Sequence, residues 1–136
     1  MELEQLRAVC LELPGAFADH PFGPETTVFK IQSPVARSSA PAKMFALLWE
    51  NREGVTVNLK CEPALAEQLR AIHPEITPGY HMNKNHWNTV DCVGQLPEEI
   101  IKDLVEDSYD LVVATLPRAQ REALGWQAVV QRGTVS

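Results

Sequence analysis

The sequence predicts an α+β fold: two layers, with a mainly antiparallel five-stranded sheet and helices on one face, in the order α-β(3)-α-β(2)-α. Three observations carry this. Short runs that alternate apolar and polar residues are joined by short turns, as in antiparallel meanders. The segments between and after them carry apolar residues at three- and four-residue spacing, and two of these begin with proline. The chain has 136 residues, 45% of them hydrophobic and 22% charged, which suits one globular domain with a real core.

Residues 2–13 place Leu3, Leu6, Val9, Cys10 and Leu13 on one helical face, and Pro14-Gly15 ends that helix. Residues 17–25, FADHPFGPE, read as a loop punctuated by proline and glycine, with His20 as a turn residue. TTVFKI at 26–31 reads as the first strand, and 32–41 as a hairpin loop. AKMFALLW at 42–49 and VTVNLKC at 55–61 are the second and third strands, joined by ENREG. Residues 63–73 form a helix opening at Pro63, with Leu65, Leu69 and Ile72 on one face. A hairpin follows, 76–82 and 86–91 joined by NKN. Residues 97–115 form a helix whose first turn carries Glu98 and Glu99, with an apolar stripe through Ile101, Leu104, Val105, Tyr109 and Val112. Pro117 breaks it, and 118–131 reads as a weaker helix.

Composition narrows the class of function. No apolar run approaches the roughly 20 residues of a membrane helix. The start, MELEQLRAVCLELPG, lacks a basic n-region and an apolar h-region, so the expected location is cytoplasmic. Cys10, Cys61 and Cys92 are odd in number and widely spaced, which predicts neither a disulfide nor a metal site. The net charge is −6, and residues 98–110 carry six acids against Lys102 alone. Residues 26–49 contain no acid, and neither do 76–90 once past Glu75, so the middle of the chain can present a basic face.

Alternation assigns the strand faces. In 55–61, Val55, Val57, Leu59 and Cys61 point to the core, while Thr56, Asn58 and Lys60 point away. Leu104 and Val112 are expected in the same core. In 42–49 the alternation groups Phe45, Leu47 and Trp49 with Lys43. Two readings stand: aromatics among cations on an open face, as on nucleic-acid platforms, or core aromatics with Lys43 snorkelling out. The densest polar segment is 78–89, PGYHMNKNHWNT. Its asparagines and histidines can read base edges or phosphates, and Trp87 or Tyr80 can stack. Alternatively Asn83 and Asn85 supply turn geometry and Trp87 fills the core. Neither HExxH, GxGxxG, a P-loop nor GxSxG is present, so no enzyme, cofactor or catalytic residue is expected.

PFGPETTVFKI, KMFALL, VNLKCEPALAEQLR, PGYHMNKNHWNTV and SYDLVVATLP together resemble the MmcQ/YjbR family, in order, over roughly 2–118. The resemblance implies a domain over 1–118, with 119–136 as its C-terminal helical extension and frayed tail. It implies a fold of the secretion-chaperone and frataxin-like (CyaY-like) shape, and a DNA-binding label tied to a double wing. The wings here are the 30–43 and 80–88 hairpins. The first, QSPVARSSAPA, is longer than the family's glycine-rich link.

The leading expectation is therefore weak, salt-sensitive binding of double-stranded DNA through the open sheet face and the 80–88 hairpin. Lys30, Lys43, Lys60 and Lys84 would meet phosphates, and Asn58, His81, Asn83, His86 and Trp87 would lie nearer the bases. The alternative is an adaptor- or chaperone-like protein-interaction module on the same face. A third reading is a small-molecule binding protein or an unrecognised enzyme, with His81 and His86 lining a pocket.

Overall fold

The computed structural model describes residues 1–51, 54–80 and 82–126, without the side chain of Asn51. Helix α1 (Leu3–Leu11) starts where the Glu2 N–H donates to the Gln5 side chain, 2.8 Å away, and buries Leu6 and Cys10. Strands β1 (Ala16–Asp19), β2 (Thr26–Ile31), β3 (Lys43–Asn51) and β4 (Gly54–Lys60) follow as an antiparallel meander. Helix α2 (Pro63–Ile72) begins with proline, and the Glu62 carboxylate accepts the Ala64 N–H. Strands β5 (Ile76–Pro78) and β6 (Trp87–Asp91) form a hairpin, with β6 inside, in the sheet order β1-β2-β3-β4-β6-β5. Helix α3 (Glu98–Val113) and the short α4 (Arg118–Leu124) complete the chain.

The class is the expected one, but the sheet has six strands rather than five. The extra strand is β1, which lies partly in the segment read as a loop. It is only four residues long, between Pro14-Gly15 and Pro21, too short for its alternation to register. Its whole length pairs with β2, from Ala16↔Ile31 to Asp19↔Val28. The 76–82 strand is also shorter than expected and ends at Pro78, and the last helix ends at Leu124 before Gly125, which has φ +66°. The expected continuation of that helix beyond 126 lies outside the described residues.

Helices α1 and α3 pack on one face of the sheet, and Leu69 of α2 and Leu124 of α4 join the same core cluster. Val55, Val57, Leu59, Leu104 and Val112 are all buried there, as the alternation and the helical stripe require. Leu124 and Trp126 bring the C-terminal extension onto this core, with the Trp126 ring 5.1 Å from that of Tyr109. The Tyr109 hydroxyl donates to the Pro14 carbonyl, which ties α3 to the end of α1.

One irregularity decides what each face carries. Phe29 pairs with Ala46 and Lys30 with Met44, so Phe45 is an extra residue on β3, a β-bulge. The bulge turns Phe45 inward beside Ala46, where its ring packs on Phe29 and edge-on against Tyr109, 5.4 Å between centroids. It also interrupts the ladder to β4, whose pairing with β3 stops at Ala46↔Leu59. The buried Ser108 hydroxyl of α3 fills the gap. It donates to the Phe45 carbonyl at 2.6 Å and accepts the Lys60 N–H at 2.8 Å. Two backbone groups that the bulge would orphan are thus satisfied by one side chain.

Candidate functional site

The face away from the helices carries a row formed by Asp19, Val28, Leu47, Asn58 and Thr89, one residue from each of five strands. The next row includes Thr26, Trp49, Thr56 and Asp91. The two readings of the β3 aromatics therefore divide at the bulge. Phe45 is core, whereas Leu47 and Trp49 are half-buried on the uncovered face.

Asn58 lies on this face, as expected, yet it is only 1% exposed. The chain after β5 folds over it. Asn58 Nδ2 donates to the Tyr80 carbonyl at 3.0 Å, and the Thr89 hydroxyl donates to Asn58 Oδ1 at 2.6 Å. The Tyr80 N–H in turn donates to Thr89 Oγ1 at 2.8 Å. Both backbone groups of Tyr80 are so pinned to the sheet. Gly79 permits the close approach, because a Cβ there would meet Trp87 Cβ and the Trp87 carbonyl, both at 2.8 Å. Asn58 is a positioning residue for this segment rather than a surface for a ligand to read.

The folded-over segment makes one wall of a cleft of about 520 Å³. Leu47 and Trp49 form its floor from β3, with Thr26 and Asn58 from the neighbouring strands. Tyr80 and Met82 stand on one side, and Phe22 and Glu25 of the β1–β2 connection line the cleft with Glu50. The Trp49 and Tyr80 rings lie 6.5 Å apart and inclined at 45°. Phe22 is 71% exposed and Tyr80 61%, so much of their apolar surface is open. Of these residues, Trp49 and Tyr80 were legible as potential stacking groups. The contribution of Phe22, Glu25 and Met82 depends on two connections folding towards each other, which no local pattern encodes.

The expected nucleic-acid residues separate. Lys30 lies on the uncovered face but pairs with Asp19 at 2.8 Å. Lys43 lies on the helix side, where its Nζ donates to Thr115 Oγ1 at 2.8 Å. Lys60 is half-buried at the end of β4, opposite Trp87. Asn83, Lys84 and His86 are exposed in the turn between β5 and β6. Asn83 makes that turn, its Oδ1 accepting the Asn85 N–H at 2.9 Å, and Lys84 Nζ donates to the Gly79 carbonyl at 3.3 Å. Arg70 of α2 reaches the same turn through the Lys84 carbonyl at 3.0 Å. Trp87 is half-buried, and His81 lies outside the described residues. The turn thus gathers Arg70, Lys84 and His86 at the end of the sheet opposite Glu25 and Glu50.

Titration chemistry is muted. Hydrogen bonds from Lys30 and from the His20 N–H hold the Asp19 carboxyl below the usual carboxylate range. Burial pushes the Cys10 and Cys92 thiols up to about 12 and that of Cys61 up to about 11, so all three are protonated at neutral pH. Among the described residues, no three His, Cys, Asp or Glu side chains are grouped to hold a metal ion, and no helix is long and apolar enough to cross a membrane.

Comparison with known proteins places this architecture. The family model described as YjbR matches residues 11–111. The chain is 38% identical over 119 residues to an uncharacterized Escherichia coli O157:H7 protein, YbdF, covering 88% of this chain and 90% of that one. It is 34% identical over 124 residues to the uncharacterized YjbR of Escherichia coli K12, covering 91% and 98% respectively. The crystal structure of Deinococcus radiodurans DR2400, a DUF419 domain, superposes with a TM-score of 0.81 at 38% identity, over 93% of this chain and 89% of that one. A Pseudomonas syringae crystal structure superposes with a TM-score of 0.66 at 33% identity, over 82% and 98%.

Proposed function

The chain belongs to the YjbR family, and from that premise we propose that it is a cytoplasmic, non-catalytic protein-interaction module whose working surface is the cleft on the uncovered sheet face. The observation that carries this reading is the open apolar surface of Trp49, Leu47, Phe22, Tyr80 and Met82 around one cavity. Exposed apolar surface gathered in a concavity is costly for a free protein, and a partner's side chain removes it from water. The Asn58–Thr89–Tyr80 hydrogen bonds support the reading further, since they pre-form one wall of the cleft. The protonated thiols offer no nucleophile, and free cysteines suit a reducing compartment. Selection from a random linear-peptide library tests the proposal. Selected peptides should bind the native chain and a Val35→Ser control equally, and lose binding to Trp49→Leu. Selection that yields no Trp49-dependent peptide removes the reading.

Double-stranded DNA is the second reading, favoured by the exposed Lys84 and His86 and the half-buried Arg70 gathered at the β5–β6 turn. This is one of the two hairpins of the double-wing proposal. On this reading DNA approaches that turn, while α3 with its acids lies on the opposite face of the sheet. Binding should be weak, and Lys84→Glu should weaken it more than Lys102→Glu. Each lost phosphate contact should lower the log–log salt slope by about 0.9. Equal effects of the two substitutions, or no binding at low salt, remove DNA as a ligand.

A further inference from the structure

Resting on the cleft reading above, we infer that the partner is a basic peptide segment and that the cleft receives the head of its lysine or arginine side chain. The cleft joins two features that suit a cation. Its apolar groups are mainly aromatic: the Trp49 and Tyr80 rings lie 6.5 Å apart between centroids, inclined at 45°, and Phe22 lines the same space. Aromatic faces attract an ammonium or guanidinium placed within about 6 Å, tryptophan most strongly. Its charged lining residues are both acidic: Glu25, and Glu50 at its edge, which pairs with core-facing Val55 and also borders a second depression beside Glu2 and Glu4. No lysine or arginine is among the described residues that line the cleft. Both carboxylates are exposed, and neither has a hydrogen bond or ion pair among the described residues.

The rest of the chain fits that sign. The net charge is −6, so a basic segment is attracted at long range and an acidic one repelled. The same sign argues against a phosphate backbone in the cleft itself. Among the described residues, Lys30 pairs with Asp19, Lys43 reaches Thr115 on the helix side, and Lys84 caps the Gly79 carbonyl. A long aliphatic stem suits the site too, because Leu47 and Met82 offer apolar contacts beside the rings.

Calorimetric titration of the full chain with three N-acetylated, C-amidated hexapeptides tests this. The peptides are identical except for a central lysine, norleucine or glutamate. The lysine peptide should bind about tenfold more tightly than the norleucine peptide, and the glutamate peptide weakest of all. The Glu25→Gln/Glu50→Gln double variant should lose most of the lysine preference while still binding norleucine. Trp49→Leu should weaken all three, with its fold checked by thermal unfolding. Equal binding of lysine and norleucine peptides, or a preference unchanged in the double variant, overturns the cation inference and leaves the docking cleft standing. Absence of binding by all three overturns both.

Discussion

Phe45 and Trp49 lie on the same strand and end on opposite sides of the sheet. Phe45 is wholly buried between Phe29 and Tyr109, under helix α3. Trp49 stays half-buried on the uncovered face, 6.5 Å from Tyr80. The helix-covered face closes its irregularity from within, through Ser108. On the uncovered face, among the described residues, the segment after β5 and the β1–β2 connection flank a cleft rather than close a packed layer. One face thus carries stability and the other can carry recognition, with the β3 bulge as the boundary between them.

Truncation at the two aromatics breaks or confirms this division most sharply. Phe45→Ala should destabilise the fold by about 3–5 kcal/mol, as large core truncations do. Trp49→Leu should cost about 1 kcal/mol, the scale of a half-exposed aromatic contact. Chemical denaturation of both variants measures this, and equal losses would erase the contrast between the faces.

Next in size is Ser108→Ala. It leaves the Phe45 carbonyl and the Lys60 N–H without their bridge inside the core. A buried unsatisfied group costs about 1–3 kcal/mol, and because the Lys60 N–H is only partly buried the two together should cost roughly 2–4 kcal/mol. The loss should appear as a lower denaturation midpoint with no change in peptide binding. A neutral Ser108→Ala would mean that the bulge is held by other contacts.

Asn58→Ala acts on the other face. It removes the donor to the Tyr80 carbonyl and the acceptor for the Thr89 hydroxyl. About 1–3 kcal/mol should be lost. Faster hydrogen exchange should concentrate at Tyr80 and its neighbours rather than spread through α3. Uniform acceleration across the chain would show that Asn58 supports the core and not the cleft wall.

The smallest effect belongs to the Lys30–Asp19 pair. The Asp19 carboxyl is held below its ordinary value of 3.8, so its contribution is present above that pH and lost as pH falls through the lower folded value. The pair is open to solvent, so Lys30→Met should change stability slightly and only above that window. Unfolding followed against pH for both proteins checks the sign, and curves that diverge towards low pH would reverse it.

Much of the frame was legible locally. The proline starts of α2, the helical stripe of α3 and the clean alternation of β4 each encode an element within a few consecutive residues. β1 was not legible, because four residues between proline and glycine signals make a strand only by pairing with β2. Parity also failed to separate Phe45 from Trp49. An inserted residue flips the count, and nothing in KMFALLW marks where it falls.

The α+β class, the core side of β4 and the helix faces follow from local pattern, because hydrophobic periodicity is a property of neighbouring residues. Tertiary structure alone decided three things. The bulge can lie inside the core where Ser108 of α3 bridges its backbone groups. Asn58 is buried because the chain after β5 folds back across it. The cleft exists because two connections distant in sequence, carrying Phe22 and Tyr80, stand beside the same strands. Each depends on groups that meet only after the sheet has formed, where the need to satisfy buried polar atoms selects among arrangements that local pattern leaves equal.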